Sequence, residues 1–165
     1  MVGLADHASV AGVRLAELEI LYRAKFPTFL RVATAIVRDE ELARDAVHDA
    51  FASAIRNRRR FRGDGPLEAW VWRMVVNAAR KAARPAREVA PGLSANGASP
   101  SEPADLRAAI EALPERQRTV LFLRYFADLD YRAIAAVLDV TLGTVGSTLN
   151  AAHAALRRSL EEVPR

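Results

Sequence analysis

Between Pro85 and Pro103 the chain reads PAREVAPGLSANGASPSEP, proline, glycine, serine and alanine with almost no bulky apolar side chain. Such a segment has too little apolar surface to offset the entropy of ordering it, so it reads as a linker. It splits the apolar residues into two groups, at 15–87 and 104–162, with the linker proper at 88–103. Period-two alternation is sustained nowhere, whereas spacings of three and four recur on both sides. The expected fold class is therefore all-α: two small helical domains joined by a flexible Pro/Gly/Ser/Ala linker. Residues 1–14 are small and mixed and read as a frayed tail.

Composition closes off several classes of function. With 51% hydrophobic residues among 165, both groups can bury real cores. The absence of cysteine excludes disulfides, zinc–cysteine sites and thiol catalysis. The start lacks the basic and apolar regions of a secretory signal, and no apolar run approaches spanning length, so the expectation is a cytoplasmic protein without membrane insertion. The net charge of +4 is unevenly spread: residues 15–87 carry about +6, while the C-terminal part is near −1. All basic residues but Lys25 and Lys81 are arginine, which suits phosphate and base edges, so a polyanion partner is implied.

In the first group, Leu15, Leu18, Tyr22, Phe26, Phe29, Ala33 and Ile36 follow one helix face, and Pro27 predicts a kink or break. Asp39-Glu40-Glu41 opens a second helix, continued by Leu42, Val47, Phe51 and Ile55. After the basic run 56–62 and the turn Gly63-Asp64-Gly65-Pro66, a third helix is expected to stop at Pro85. Its apolar stripe reads Leu67, Val71, Met74/Val75, Ala78 and Ala82. On another side Trp70, Arg73, Asn77, Arg80, Lys81 and Arg84 recur at three and four residues. A basic stripe with a tryptophan and an asparagine can hold phosphates, stack a base and read a base edge.

In the second group, one helix ends at Pro114, which opens the next. Then Tyr131, Ile134, Ala135 and Leu138 recur at helical spacing, as do Val145, Leu149, Ala152 and Leu156, with only Asp139-Val140-Thr141 between them. Thr141 can cap the second of these helices through its hydroxyl. This is a helix-turn-helix pattern, a unit that commonly lays its second helix in the DNA major groove.

Catalytic constellations are not evident. His7, His48 and His153 lack metal-ligand spacing, and Asp45 and Asp49, one turn apart beside His48, read as a partner-facing surface. There is neither a P-loop nor a Gly-x-Ser-x-Gly elbow. No enzyme, cofactor or metal site is expected.

Several ordered motifs resemble those of bacterial RNA polymerase sigma factors of the extracytoplasmic-function (ECF) group. Asp45-Ala46-Val47-His48-Asp49-Ala50-Phe51 is similar to D-x-x-Q-E-x-F, with His48 for the usual Gln and Asp49 for Glu. Phe61-Arg62-Gly63-Asp64, Trp70-Val71-Trp72-Arg73 and Asn77 resemble F-R-G-(D/E)…W-L-(Y/F)-R…N. Leu113-Pro114 with Arg118, Leu123-Arg124-Tyr125, Tyr131 with Ile134-Ala135, and Gly143-Thr144-Val145 with Ser147 resemble L-P-x-x-x-R…L-R-Y…Y-x-x-I-A…G-T-V-x-S. The resemblance implies sigma domain two at 15–87 and sigma domain four at 104–162. It implies core RNA polymerase (clamp helices and flap), promoter DNA and an anti-sigma factor as partners.

By that resemblance Asp45, His48, Asp49 and Phe51 dock core polymerase. Arg62, Trp70, Trp72, Arg73, Asn77, Arg80, Lys81 and Arg84 would hold the −10 element. The −35 element would fall to Tyr131, Thr141, Thr144, Ser147, Thr148, His153 and Arg157. The last helix departs from the family: where basic residues are usual on its outer face it carries Gly146, Thr148, Ala151 and His153. Weak −35 reading is expected, since each lost bidentate base contact costs about 1–3 kcal/mol. A degenerate sigma that acts only as a protein-interaction module is the alternative.

Overall fold

A computed structural model describes residues 12–89 and 104–161; the expected linker at 88–103 lies almost wholly outside these residues, as does His7. Among the described residues there are seven α-helices and no strand. The first three are α1 (Leu15–Val37), α2 (Glu40–Asn57) and α3 (Leu67–Val89). The other four are α4 (Ala104–Glu111), α5 (Glu115–Tyr125), α6 (Tyr131–Leu138) and α7 (Leu142–Glu161).

Local chemistry sets most of these boundaries. The Arg14 N–H donates to the Glu17 carboxylate at 2.8 Å, which ties down the first turn of α1. Asp39 caps α2 by accepting from the Leu42 N–H at 2.8 Å, and Asp130 caps α6 by accepting from Ala133 at 2.7 Å. Two expected stops do not occur. Pro27 lies inside an unbroken α1, and α3 continues through Pro85 to Val89. A proline removes one donor per site, and in α1 the turns after Pro27 are clamped by burial of Phe29, Val32, Ala33 and Ile36. The start of the chain also differs from expectation at its inner end. Val13 is buried and its N–H donates to the Arg58 carbonyl at 3.0 Å. Gly12, at φ 125°, lets the chain pass so close that a Cβ would meet the Arg59 Cα at 3.1 Å.

The first three helices pack on one another around an aromatic centre. Phe29 contacts Trp72 at 4.3 Å between ring centroids and Phe51 at 5.3 Å edge-on, and Phe51 meets Tyr22 at 5.0 Å. The inward face of α3 is rotated from the expected stripe. Val71, Trp72, Val75, Val76, Ala79 and Ala83 are buried, while Leu67, Met74, Ala78 and Ala82 are half-buried on the flank.

In the second group α5 lies between α1, α6 and α7 and buries Val120, Leu121, Phe122 and Leu123 consecutively. Helices α6 and α7 meet at 101° across a short turn, within the range of a helix-turn-helix. Asp139 closes α6 in the left-handed region (φ 54°), and the Thr141 hydroxyl accepts from the Thr144 N–H at 3.1 Å to open α7. The two groups of helices share one continuous hydrophobic core: α5 packs on α1 and α6 on α3. No single helix among the described residues is long and apolar enough to cross a membrane.

Candidate nucleic-acid interface

The turn that precedes α3 and the first two turns of that helix enclose a groove of about 340 Å³. Arg60, Phe61, Arg62 and Asp64 line one side, and Ala69, Trp70 and Arg73 the other. Gly63 supplies the positive φ (75°) that the turn requires. Trp70 is half-buried, with its ring 5.3 Å from that of Phe61. Two aromatic faces beside exposed guanidinium groups form a shelf on which an unstacked base can lie with its phosphate held alongside. Arg62, Arg73, Asn77, Lys81 and Arg84 are exposed and Arg80 is partly exposed, so the basic stripe of α3 continues from the groove along the helix.

Trp72 does not belong to this surface. It is fully buried against Phe29, and its indole N–H donates to the Glu68 carboxylate at 3.2 Å. Two positions along a helix turn a side chain roughly to the opposite side, so the Trp-x-Trp pair divides between groove and core.

A second groove, about 440 Å³, lies between α1 and α2. Leu15, Leu18, Tyr22, His48, Phe51 and Ile55 line it, so it is apolar apart from its rim. Asp45 and Asp49 are exposed on the same helix. His48 stacks over Phe26 at 5.9 Å and shares a hydrogen bond of 3.1 Å with the Tyr22 hydroxyl. Phe51 is not an exposed anchor as the sequence suggests. It is 6% exposed and forms the groove floor, because Tyr22 and Phe29 enclose its ring.

On α7 the hydroxyls turn inward on their own helix. Ser147 and Thr148 donate to the Thr144 carbonyl at 3.1 and 2.7 Å, and Thr144 shares a 2.9 Å hydrogen bond with Thr141. His153 is tied to the Tyr125 hydroxyl at 3.0 Å. Tyr131 is 44% exposed and lies beside Gly146, while Arg157 is exposed. The outer face of this helix thus offers few groups free to read a base edge.

Two family models match the chain. Residues 21–88 match Sigma-70 region 2, and residues 104–156 match Sigma-70, region 4. The chain is 33% identical over 159 residues to the RNA polymerase sigma-H factor of Pseudomonas aeruginosa, covering 82% of each protein. It is 31% identical over 143 residues to the ECF RNA polymerase sigma-E factor of Escherichia coli, covering 73% of this chain and 75% of that one. The chain belongs to the ECF group of RNA polymerase sigma factors. Among solved structures, this ECF sigma factor has the fold of the sigma factor RpoE in complex with the anti-sigma factor NepR from Bartonella quintana. That likeness has a TM-score of 0.70 at 20% identity, over 91% of this chain and 100% of that one. CnrH in complex with the cytosolic domain of CnrY is similar, at TM-score 0.72 and 22% identity, over 95% and 96% of the two chains. The groove at 60–73 and all of the described basic face of α3 fall within the region 2 match, and the helix-turn-helix falls within region 4.

One set of residues escapes a reading of motifs alone. Arg118, Arg38, Glu115 and Asp139 join the two groups of helices, and three of them lie outside any apolar or basic stripe. Arg118 carried a signal: it is a lone cation at the head of the apolar run Val120–Leu123.

Proposed function

We propose that this ECF sigma factor directs promoter-specific transcription initiation chiefly through its first three helices. The apolar groove between α1 and α2, rimmed by Asp45, His48 and Asp49, docks the clamp helices of core RNA polymerase. The groove at 60–73 and the face bearing Trp70, Arg73, Asn77, Arg80, Lys81 and Arg84 take the opened −10 strand. The pairing of Trp70 with Phe61 beside Arg62 and Arg73 carries this reading, because strand capture needs a stacking platform flanked by cations. Helix α7 contributes a weak −35 contact, since its hydroxyls are spent on its own backbone and its outer face lacks cations. A region 2 and a region 4 match in one chain favours an initiation factor over a module that only binds proteins.

The role is non-enzymatic and places the protein in the cytoplasm. Two neighbours of the same fold were solved with anti-sigma partners, which supports an anti-sigma factor as the regulator of this chain. Run-off transcription with purified core polymerase on genomic fragments tests the proposal. Discrete promoter-specific starts are expected; no start on any fragment would contradict it.

A further inference from the structure

The basic face of α3 is partly covered by the chain's own second group of helices. Arg73 lies 3.9 Å from the Asp139 carboxylate, and the Arg80 Nε–H donates to Glu115 at 3.2 Å. Ala136 of α6 forms part of the wall of the groove that contains Trp70. Two carboxylates and one helix therefore stand where a bound strand would place its phosphates and sugars.

This closure rests on specific ties as well as on apolar contact. Arg118 of α5 is 6% exposed, and its Nε–H donates to the Ala35 carbonyl of α1 at 2.6 Å. That carbonyl is in the last turn of α1, where backbone acceptors lack intrahelical partners and the helix dipole is negative. The same guanidinium donates to the Leu113 carbonyl at 2.7 Å. Arg38, the residue that ends α1, donates to the Glu111 carbonyl, and the Arg31 guanidinium lies 3.9 Å from the centre of the Phe126 ring. A buried cation held by acceptors from both groups defines one register between them, because any other leaves the charge unmatched.

Resting on the reading of α3 as the promoter-strand surface, we infer that α5 and α6 are the intramolecular occupants of that surface. Glu115 and Asp139 substitute for DNA phosphates, and the chain must open before it takes the strand. The affinity of the free protein for single-stranded DNA is then its intrinsic affinity reduced by the fraction of open molecules. A partner that draws α5 and α6 away frees the site; one that seals them against α3 keeps it silent.

The chain has no cysteine, so an introduced pair is unique. Ala69 and Ala136 line the same groove from opposite groups, and neither carries a proposed DNA contact. An Ala69→Cys/Ala136→Cys chain is bridged with a short, reducible bis-methanethiosulfonate. It is assayed by anisotropy against a labelled A/T-rich single-stranded oligonucleotide and by run-off transcription with core polymerase. Bridging is expected to cut strand affinity and transcript by about tenfold or more, and reductant to restore both. In the unbridged full chain, Glu115→Gln with Asp139→Asn is expected to raise strand affinity by about fivefold. A bridged chain as active as the reduced one, or no gain in the opened variant, would overturn the inference while leaving the promoter-strand reading intact. If the reduced chain and wild type neither bind the strand nor start transcripts, that reading fails and the inference falls with it.

Discussion

Trp70 and Trp72 stand two positions apart on α3, and the helix turns one toward the groove and the other into the core. Their replacement should separate function from stability. Trp72→Ala removes the ring that fills the space beside Phe29 and leaves Glu68 without its indole donor, so a loss of about 3–5 kcal/mol is expected in denaturant unfolding. Trp70→Ala should change stability far less and instead cost about 1–3 kcal/mol of strand binding, read in the anisotropy assay. The Trp-x-Trp spacing already implies that only one of the two can face out, but which one depends on the exact phase of the buried face. The apolar stripe read from sequence was Leu67, Val71, Met74/Val75 and Ala78, flanking the true one. Alanines and valines occur on both sides of α3, so hydrophobicity alone leaves its phase loosely defined. At the start of α1, Glu17 titrates below the usual carboxylate range because the Arg14 backbone N–H hydrogen-bonds to its carboxylate. A lowered folded-state value means the first-turn tie is present at neutral pH and is lost as pH falls through that value. The Glu17 carboxyl carbon shift, followed by NMR against pH, should show the depressed midpoint, and Arg14→Pro, which removes that N–H, should return it toward normal.

At the scale of elements, α7 is the helix whose identity was most legible and whose chemistry was most altered. The Thr141 cap and the buried positions Val145, Leu149 and Ala152 follow from spacing alone, and the structure has them. Gly146 is the weak point, since glycine within a helix costs about 0.5–1 kcal/mol relative to alanine. A Cβ there would sit 3.8 Å from the Tyr131 ring, an ordinary contact. Gly146→Ala should therefore stabilise the protein by about that amount in thermal or denaturant unfolding. With room at this position, Gly146→Lys together with Thr148→Arg should strengthen binding to duplex promoter DNA and steepen its salt dependence by about two contacts. Equal affinity at low salt would show that the outer face of α7 does not meet the duplex. The breaks expected at Pro27 and Pro85 fail for a common reason: a proline signals the loss of one hydrogen bond, and whether a helix survives depends on neighbours that sequence pattern does not weigh.

At the scale of the whole molecule, the chain combines two family regions that sequence separates cleanly, with a packing between them that sequence does not reveal. Residues 104–161 meet 12–89 through Arg118, Arg38, Glu115 and Asp139, and pairings between distant positions leave no periodic trace. Arg118→Met should leave the Ala35 and Leu113 carbonyls unmatched and loosen this packing. Small-angle scattering of the free wild-type chain should give a compact radius of gyration, roughly 15–18 Å, and the variant a larger one. The central claim remains that promoter selection rests on α3 far more than on α7. Run-off transcription with core polymerase, comparing wild type, Trp70→Ala/Arg73→Ala and Ser147→Ala/Arg157→Ala on the same mapped promoter, tests it most directly. The account expects the first double variant to lose most transcript and the second to keep most of it. Loss confined to the α7 variant, with full activity when Trp70 and Arg73 are removed, would contradict it.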